Sequence, residues 1–169
     1  MGKSRRNAKA ASLALLAVAP LLGGCATHSR QEVLDAVHLR MPDCPAEMHS
    51  YAADEAWWPP GWVEMSYTVP KNCMDAYLAA HGVDLTAKPI NTWPRSGTSF
   101  VGGAPIEPTD PPFSPKTMRR FKLRLDASRT YPEHSFETPY GSRFTVLLDE
   151  QGDSTTVYLE TDFGGPHVL

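Results

Sequence analysis

No apolar run in this 169-residue chain reaches the ~20 residues needed to cross a ~30 Å hydrocarbon core. The stretch Ala10 to Leu22 falls short, so it does not read as a spanning helix. The motifs that usually mark catalytic sites are missing too. Six histidines (His28, His38, His49, His81, His134 and His167) form no H-x-H pair, no i, i+4 pair and no H-E-x-x-H, so their spacing gives no metal site. There is no G-x-S-x-G elbow, no S-x-x-K and no glycine loop shaped for phosphate. Acidic residues are plentiful, yet spacing alone singles out no glycosidase-like pair. The chain has no internal repeat, and its pattern implies no cofactor. Cysteine is scarce, at three.

The N-terminus is where the sequence is most informative. Lys3, Arg5, Arg6 and Lys9 form a basic region, with no acid before Glu32. The apolar Ala10–Leu22 stretch follows, as in an export signal. Then comes Leu22-Gly23-Gly24-Cys25: an apolar residue, two small ones and a thiol. This segment resembles the lipobox of bacterial lipoproteins. The resemblance implies that residues 1–24 are a signal peptide, that Cys25 carries a diacylglycerol, and that residues 25–29 are a short tether. Ser4-Arg5-Arg6 is a weak match to a twin-arginine signal, since Asn7, Ala8 and Lys9 follow in place of apolar residues. The expected location is the outer face of the cell membrane, with the lipid as membrane partner.

Cleavage before Cys25 changes the charge. Four basic residues leave with the signal, and 12 basic against 19 acidic side chains remain, a net charge of −7. That argues against general nucleic-acid binding. The remaining length suits one domain, residues 30–169. With Cys25 committed to lipid, Cys44 and Cys73 form an even pair in an exported chain and read as a disulfide. Two buried free thiols are the alternative.

Ser29-Arg30-Gln31-Glu32 has capping-box form. Val33, Leu34, Val37 and Met41 recur at helical spacing, predicting a helix over 30–40 that ends at Pro42. Residues 46–51 are a candidate strand, and 61–69 are a clearer one. Asn72 is positioned to cap a helix over 73–81, with Gly82 beyond its end. Residues 86–116 hold seven prolines and read as a long, ordered, irregular loop packed on the domain. Beyond it, Phe121, Leu123 and Leu125 alternate with polar residues, as do Phe144, Val146 and Leu148, and then Val157, Leu159 and Phe163. Each reads as a half-buried strand, with a turn at 149–154. The predicted class is α+β: an antiparallel sheet of about five strands, one face solvated, with one or two helices packed on the other face.

The order of "AEMHSY", "GWVEMSYTVP", "CMDAYLAAHGV", "FKLRLD" and "TTVYLETDF" resembles a group of uncharacterised lipoproteins and secreted proteins of actinobacteria. That likeness implies anchorage and fold class, and no activity.

Two features are candidate contact sites. "WWPPGW" places Trp57, Trp58 and Trp62 within six residues, next to Asp54 and Glu55. Indole faces stack on sugar and proline rings. The competing reading has them folding back to cover the sheet. The second feature is the basic stretch Lys116, Arg119, Arg120, Lys122 and Arg124. On a strand, Arg120, Lys122 and Arg124 share one face and would pair across strands with Glu160 and Asp162; the alternative is a site for anionic envelope polymer or lipid headgroups. The expected function is that of a lipid-anchored, non-catalytic accessory or interaction protein. An envelope-glycan module using the tryptophan loop is the alternative, and an enzyme a distant third.

Overall fold

The computed structural model describes residues 28–162, apart from 55–57, 59, 98, 102–103 and 140. Residues 1–24, read above as a signal peptide, and Cys25, Trp57 and Phe163 lie outside the described residues.

The first helix, α1, spans Arg30–Ala36 and is shorter than the sequence spacing predicts. Its start is the expected capping box: Ser29 Oγ accepts from the Glu32 N–H, and Glu32 Oε2 accepts from the Ser29 N–H at 2.6 Å. His38 ends it by entering the left-handed region at φ 55°. The His38 and Leu39 N–H groups then turn back onto the carbonyls of Asp35 and Leu34, at 3.1 and 2.9 Å. This is a Schellman closure with a histidine where glycine is usual. Val37 is buried at the C-cap and Met41 packs on the same core beyond the helix end, which explains why the apolar spacing overran the helix.

Strands β1 (Glu47–Ala53) and β2 (Trp62–Pro70) form a hairpin, with a register shift between Met48 and Ser50. Helix α2 (Lys71–Ala80) follows Pro70 directly and has no side-chain cap, so Asn72 is not its N-cap. Gly82, at φ 77°, closes it as expected.

The proline-rich segment is ordered and packed, but it is not structureless. It contributes β3 (Asn91–Trp93) and a small ribbon, β4 (Ser99–Val101) with β5 (Ala104–Ile106). The Trp93 Nε1–H and the Arg95 guanidinium both donate to the Asp110 carbonyl, at 3.1 and 2.9 Å, pinning its two ends together. Helix α3 (Pro115–Phe121) follows, then β6 (Tyr131–Glu137), β7 (Arg143–Gln151) and β8 (Ser154–Asp162).

The main sheet has six antiparallel strands in the order β1-β2-β8-β7-β6-β3. The architecture is α+β, with one strand more than the sequence predicted. Val63, Met65, Tyr67 and Val69 of β2 meet Val146, Leu148, Val157 and Leu159 on one face, covered by α1 and α2. Cys44 and Cys73 are disulfide-bonded, with a Cα–Cα distance of 6.5 Å, and join the turn after α1 to α2.

Two expectations are corrected. "FKLRLD" is not a strand. Ser114 caps α3 by accepting from the Thr117 N–H, Pro115 occupies the first turn, and Lys122 at φ 53° ends the helix. The 121, 123, 125 alternation buries Phe121 and Leu123 without strand pairing. The second face of the sheet is also not simply solvated. Trp93, Phe113, Phe121, Leu123, Tyr131 and Leu147 form a separate core there. Glu64 and Ser66, which alternate with the Val63, Met65 and Tyr67 core face of β2, are buried on this second face as well.

Candidate functional site

The second core does not reach the end of the β1-β2-β8 surface nearest Pro70. There an open cleft of about 480 Å³ lies between the sheet and the end of α3, lined by His49, Ser66, Arg120, Lys122, Thr156 and Tyr158, with Met48 and Phe121. Its floor follows from strand alternation: Ser66 and Thr68 project from β2 and Thr156 from β8. The register shift in β1 sets His49 beside them. Hydroxyl contacts run across the floor: His49 Nε2 to Thr68 Oγ1 at 2.7 Å, Thr68 Oγ1 to Thr156 Oγ1 at 2.9 Å, and Ser50 Oγ to Ser66 Oγ at 2.7 Å. The Glu47 carboxylate lies 3.9 Å from His49 Nδ1, too far to fix the ring by a hydrogen bond. An imidazole therefore touches a hydroxyl, and the Glu47 carboxylate beside it is not close enough to orient it. The cleft suits recognition of a polar ligand through hydroxyls and a lysine. Burial raises the Tyr158 phenol above its ordinary range, so it acts there as a neutral hydroxyl.

The basic stretch is split by its true structure. Arg120 projects from α3, and not from a strand, onto the buried Glu64 carboxylate of β2. Thr117 Oγ1 donates to the other Glu64 oxygen at 3.2 Å. Glu64 stands opposite Glu160 in the register, so a guanidinium beside it offsets a like-charge neighbour. Lys122 and Arg124 follow the helix and are exposed; Lys122 alone of the two lines the cleft.

The tryptophans also part company. The Trp62 ring is half-buried under Arg120, whose guanidinium carbon sits 4.7 Å from the ring centre, with the Lys116 ammonium at 5.8 Å. Trp62 is thus a packing element. Trp58 is 49% exposed, with its ring stacked 3.7 Å from that of His28. On the helical side a larger groove, about 820 Å³, runs beside the disulfide between Arg40, Tyr77 and His81. The Tyr77 hydroxyl donates to the Arg40 carbonyl at 2.8 Å, and His81 stacks on Phe136. Burial holds the His81 imidazole below its ordinary pKa.

Sequence reasoning missed His49, Ser66, Thr68, Thr156 and Tyr158 as one surface, because the β2–β8 register that joins them is not written in local spacing. The "SPKT" start of α3 was a usable signal, since Ser before Pro at a first turn is a helix opening. Among the described residues, no group of three or more His, Cys, Asp or Glu converges to hold a metal, and no helix is long and apolar enough to cross a membrane. The chain matches no protein-family model, no curated protein and no solved structure.

Proposed function

We infer that this chain is a lipid-anchored protein of the outer membrane face that works by binding rather than by catalysis. The observation that carries the reading is the Leu22-Gly23-Gly24-Cys25 lipobox, placed just ahead of a domain held by its own disulfide. A disulfide joining elements of one small domain is at home in an oxidising compartment and uncommon in a reducing one. The non-catalytic part rests on the cleft, where Glu47, the carboxylate beside His49 among the described residues, stands beyond hydrogen-bond reach at 3.9 Å. The ligand surface of this accessory protein is the hydroxyl-lined cleft, with Lys122 at its rim.

The glycan reading has less to support it. It needs several open indole faces, and the Trp62 face is occupied by Arg120. Among the described residues it rests on Trp58, and quenching of tryptophan emission by soluble cell-wall fragments would support it.

The anchor is tested by detergent partition. Wild-type protein should enter the detergent phase with diacylglycerol on Cys25, and Cys25→Ser should be released to the medium or remain uncut. A membrane-bound Cys25→Ser protein with its signal removed overturns the reading. The binding role is tested by crosslinking from native membranes, where Lys122→Glu and His49→Ala should lose a partner that wild type captures. Unchanged capture would move the ligand surface away from the cleft.

A further inference from the structure

We propose that Trp58, between β1 and β2, is a second membrane contact, its exposed indole entering the headgroup layer of the leaflet that holds the Cys25 lipid. This rests on the lipid-anchor reading. Trp58 is one of three large apolar side chains exposed among the described residues, with Leu85 and Ile90. It differs from them in its neighbour. Its ring lies 3.7 Å from the His28 ring at an interplanar angle of 25°. His28 is the third residue after Cys25. Three residues span at most roughly 11 Å, so a lipid on Cys25 and the Trp58 ring must lie at the same end of the domain.

Strand register extends this into an orientation. The turn that carries Trp58 closes on a bond from the Asp54 N–H to the Trp62 carbonyl, 2.9 Å. Trp62 pairs with Asp162, at the finish of β8, while Thr68 pairs with Thr156 near its start. Six residues of strand separate Trp62 from Thr68, roughly 20 Å at ~3.3 Å per residue. The His49, Thr68 and Thr156 floor of the cleft therefore lies toward the opposite end of the sheet from the anchor, while Arg120 at its rim reaches back over Trp62. Indole sits well at a bilayer interface, with an apolar body and an N–H that stays hydrated. A lipid alone tethers one point and leaves the domain free to swivel. A tryptophan held against the fold adds a second point, so the domain stands with its cleft directed away from the bilayer.

The test uses lipidated mature protein in phosphatidylcholine–phosphatidylglycerol vesicles carrying nitroxide on the headgroups. Tryptophan emission should be quenched by this shallow label, and Trp58→Phe should lose most of that quenching while remaining vesicle-bound. Absence of quenching in vesicle-bound wild type, or the same quenching in Trp58→Phe, overturns the proposal. So does quenching by soluble wall fragments without quenching by the lipid label, which would assign the indole to glycan. Mass spectrometry of Cys25 in the same samples separates the two ideas. A missing diacylglycerol overturns the anchor and this contact together; a lipidated but unquenched protein overturns the contact alone.

Discussion

At the scale of single residues, the most consequential pair is Glu64 with Arg120. The Glu64 side chain is 8% exposed and that of Arg120 is 22%. Removing either partner of such a pair is more costly than the pair is worth, because the other is left without compensation. The two removals are not equivalent. Arg120→Ala strands a buried carboxylate beside Glu160 and uncovers Trp62, and should cost about 3–5 kcal/mol. Glu64→Gln keeps an acceptor for Thr117 and leaves an arginine able to reach water, so it should cost only about 1–2 kcal/mol. Urea denaturation of both variants checks the order, and equal losses would mean that the carboxylate is better hydrated than its burial implies. Two histidines set a pH dependence of known sign. Burial lowers the pKa of both His81 and His134, with Glu150 opposing it at His134. The unfolded chain takes up these protons near pH 6.5 and the folded chain only at lower pH, so their contribution is present above about pH 6.5 and lost as pH falls. Stability should therefore drop as the pH falls below about 6.5, and His81→Gln with His134→Gln should flatten that drop. A curve equally steep in the double variant would assign the dependence to other groups.

Elements show where local sequence signals hold and where they mislead. The capping box of α1 and the alternation of β2, β7 and β8 were legible because each is a short-range pattern with one strong solution. Strand β6 was not. Pro132 and a run of polar residues hide it, yet Tyr131, His134 and Phe136 are buried, and pairing with β7 starts at Glu133, just past the proline. Its strand character comes from the neighbour it pairs with. "FKLRLD" misled in the opposite direction, since two-residue alternation arises whenever a helix end and its following loop both press onto a core. The helix ends carry a prediction of their own. Helices α1, α2 and α3 close by Schellman-type turns, through His38, Gly82 and Lys122. A side chain in the left-handed region is strained where glycine is not. Lys122→Gly should raise stability by about 0.5–1 kcal/mol, less whatever the freer unfolded chain takes back. Thermal melting reads this directly as a rise of a few degrees, and a fall would show that the lysine stem packs on the cleft wall.

For the whole molecule, the disulfide is the main long-range restraint outside the sheet. Cys44 and Cys73 are 29 residues apart in sequence. Closing a loop of that length in the unfolded chain stabilises the fold by about 3–4 kcal/mol on the chain-entropy model. Reduction should therefore lower the melting temperature by on the order of 10 °C. A melting curve indifferent to reductant, or two reactive thiols in freshly isolated denatured protein, would refute the bond. This restraint was legible in the sequence, because the lipobox reading sets Cys25 aside and leaves Cys44 and Cys73 as an even pair. Fold class was equally legible, since strand and helix periods are local and the alternating runs outnumber the helical ones. The sites were not. Arg120 could be assigned to Glu64 only once α3 was seen to lie across the sheet face. Trp58 and Trp62 are four residues apart but have different roles, because one faces His28 at the turn and the other lies under Arg120. Local sequence fixes which residues turn, cap and alternate, through forces that act over a few bonds. Which side chains meet across the β2–β8 register, and which are left open to a ligand or a membrane, depends on contacts between segments distant in sequence, and those exist only in the folded chain.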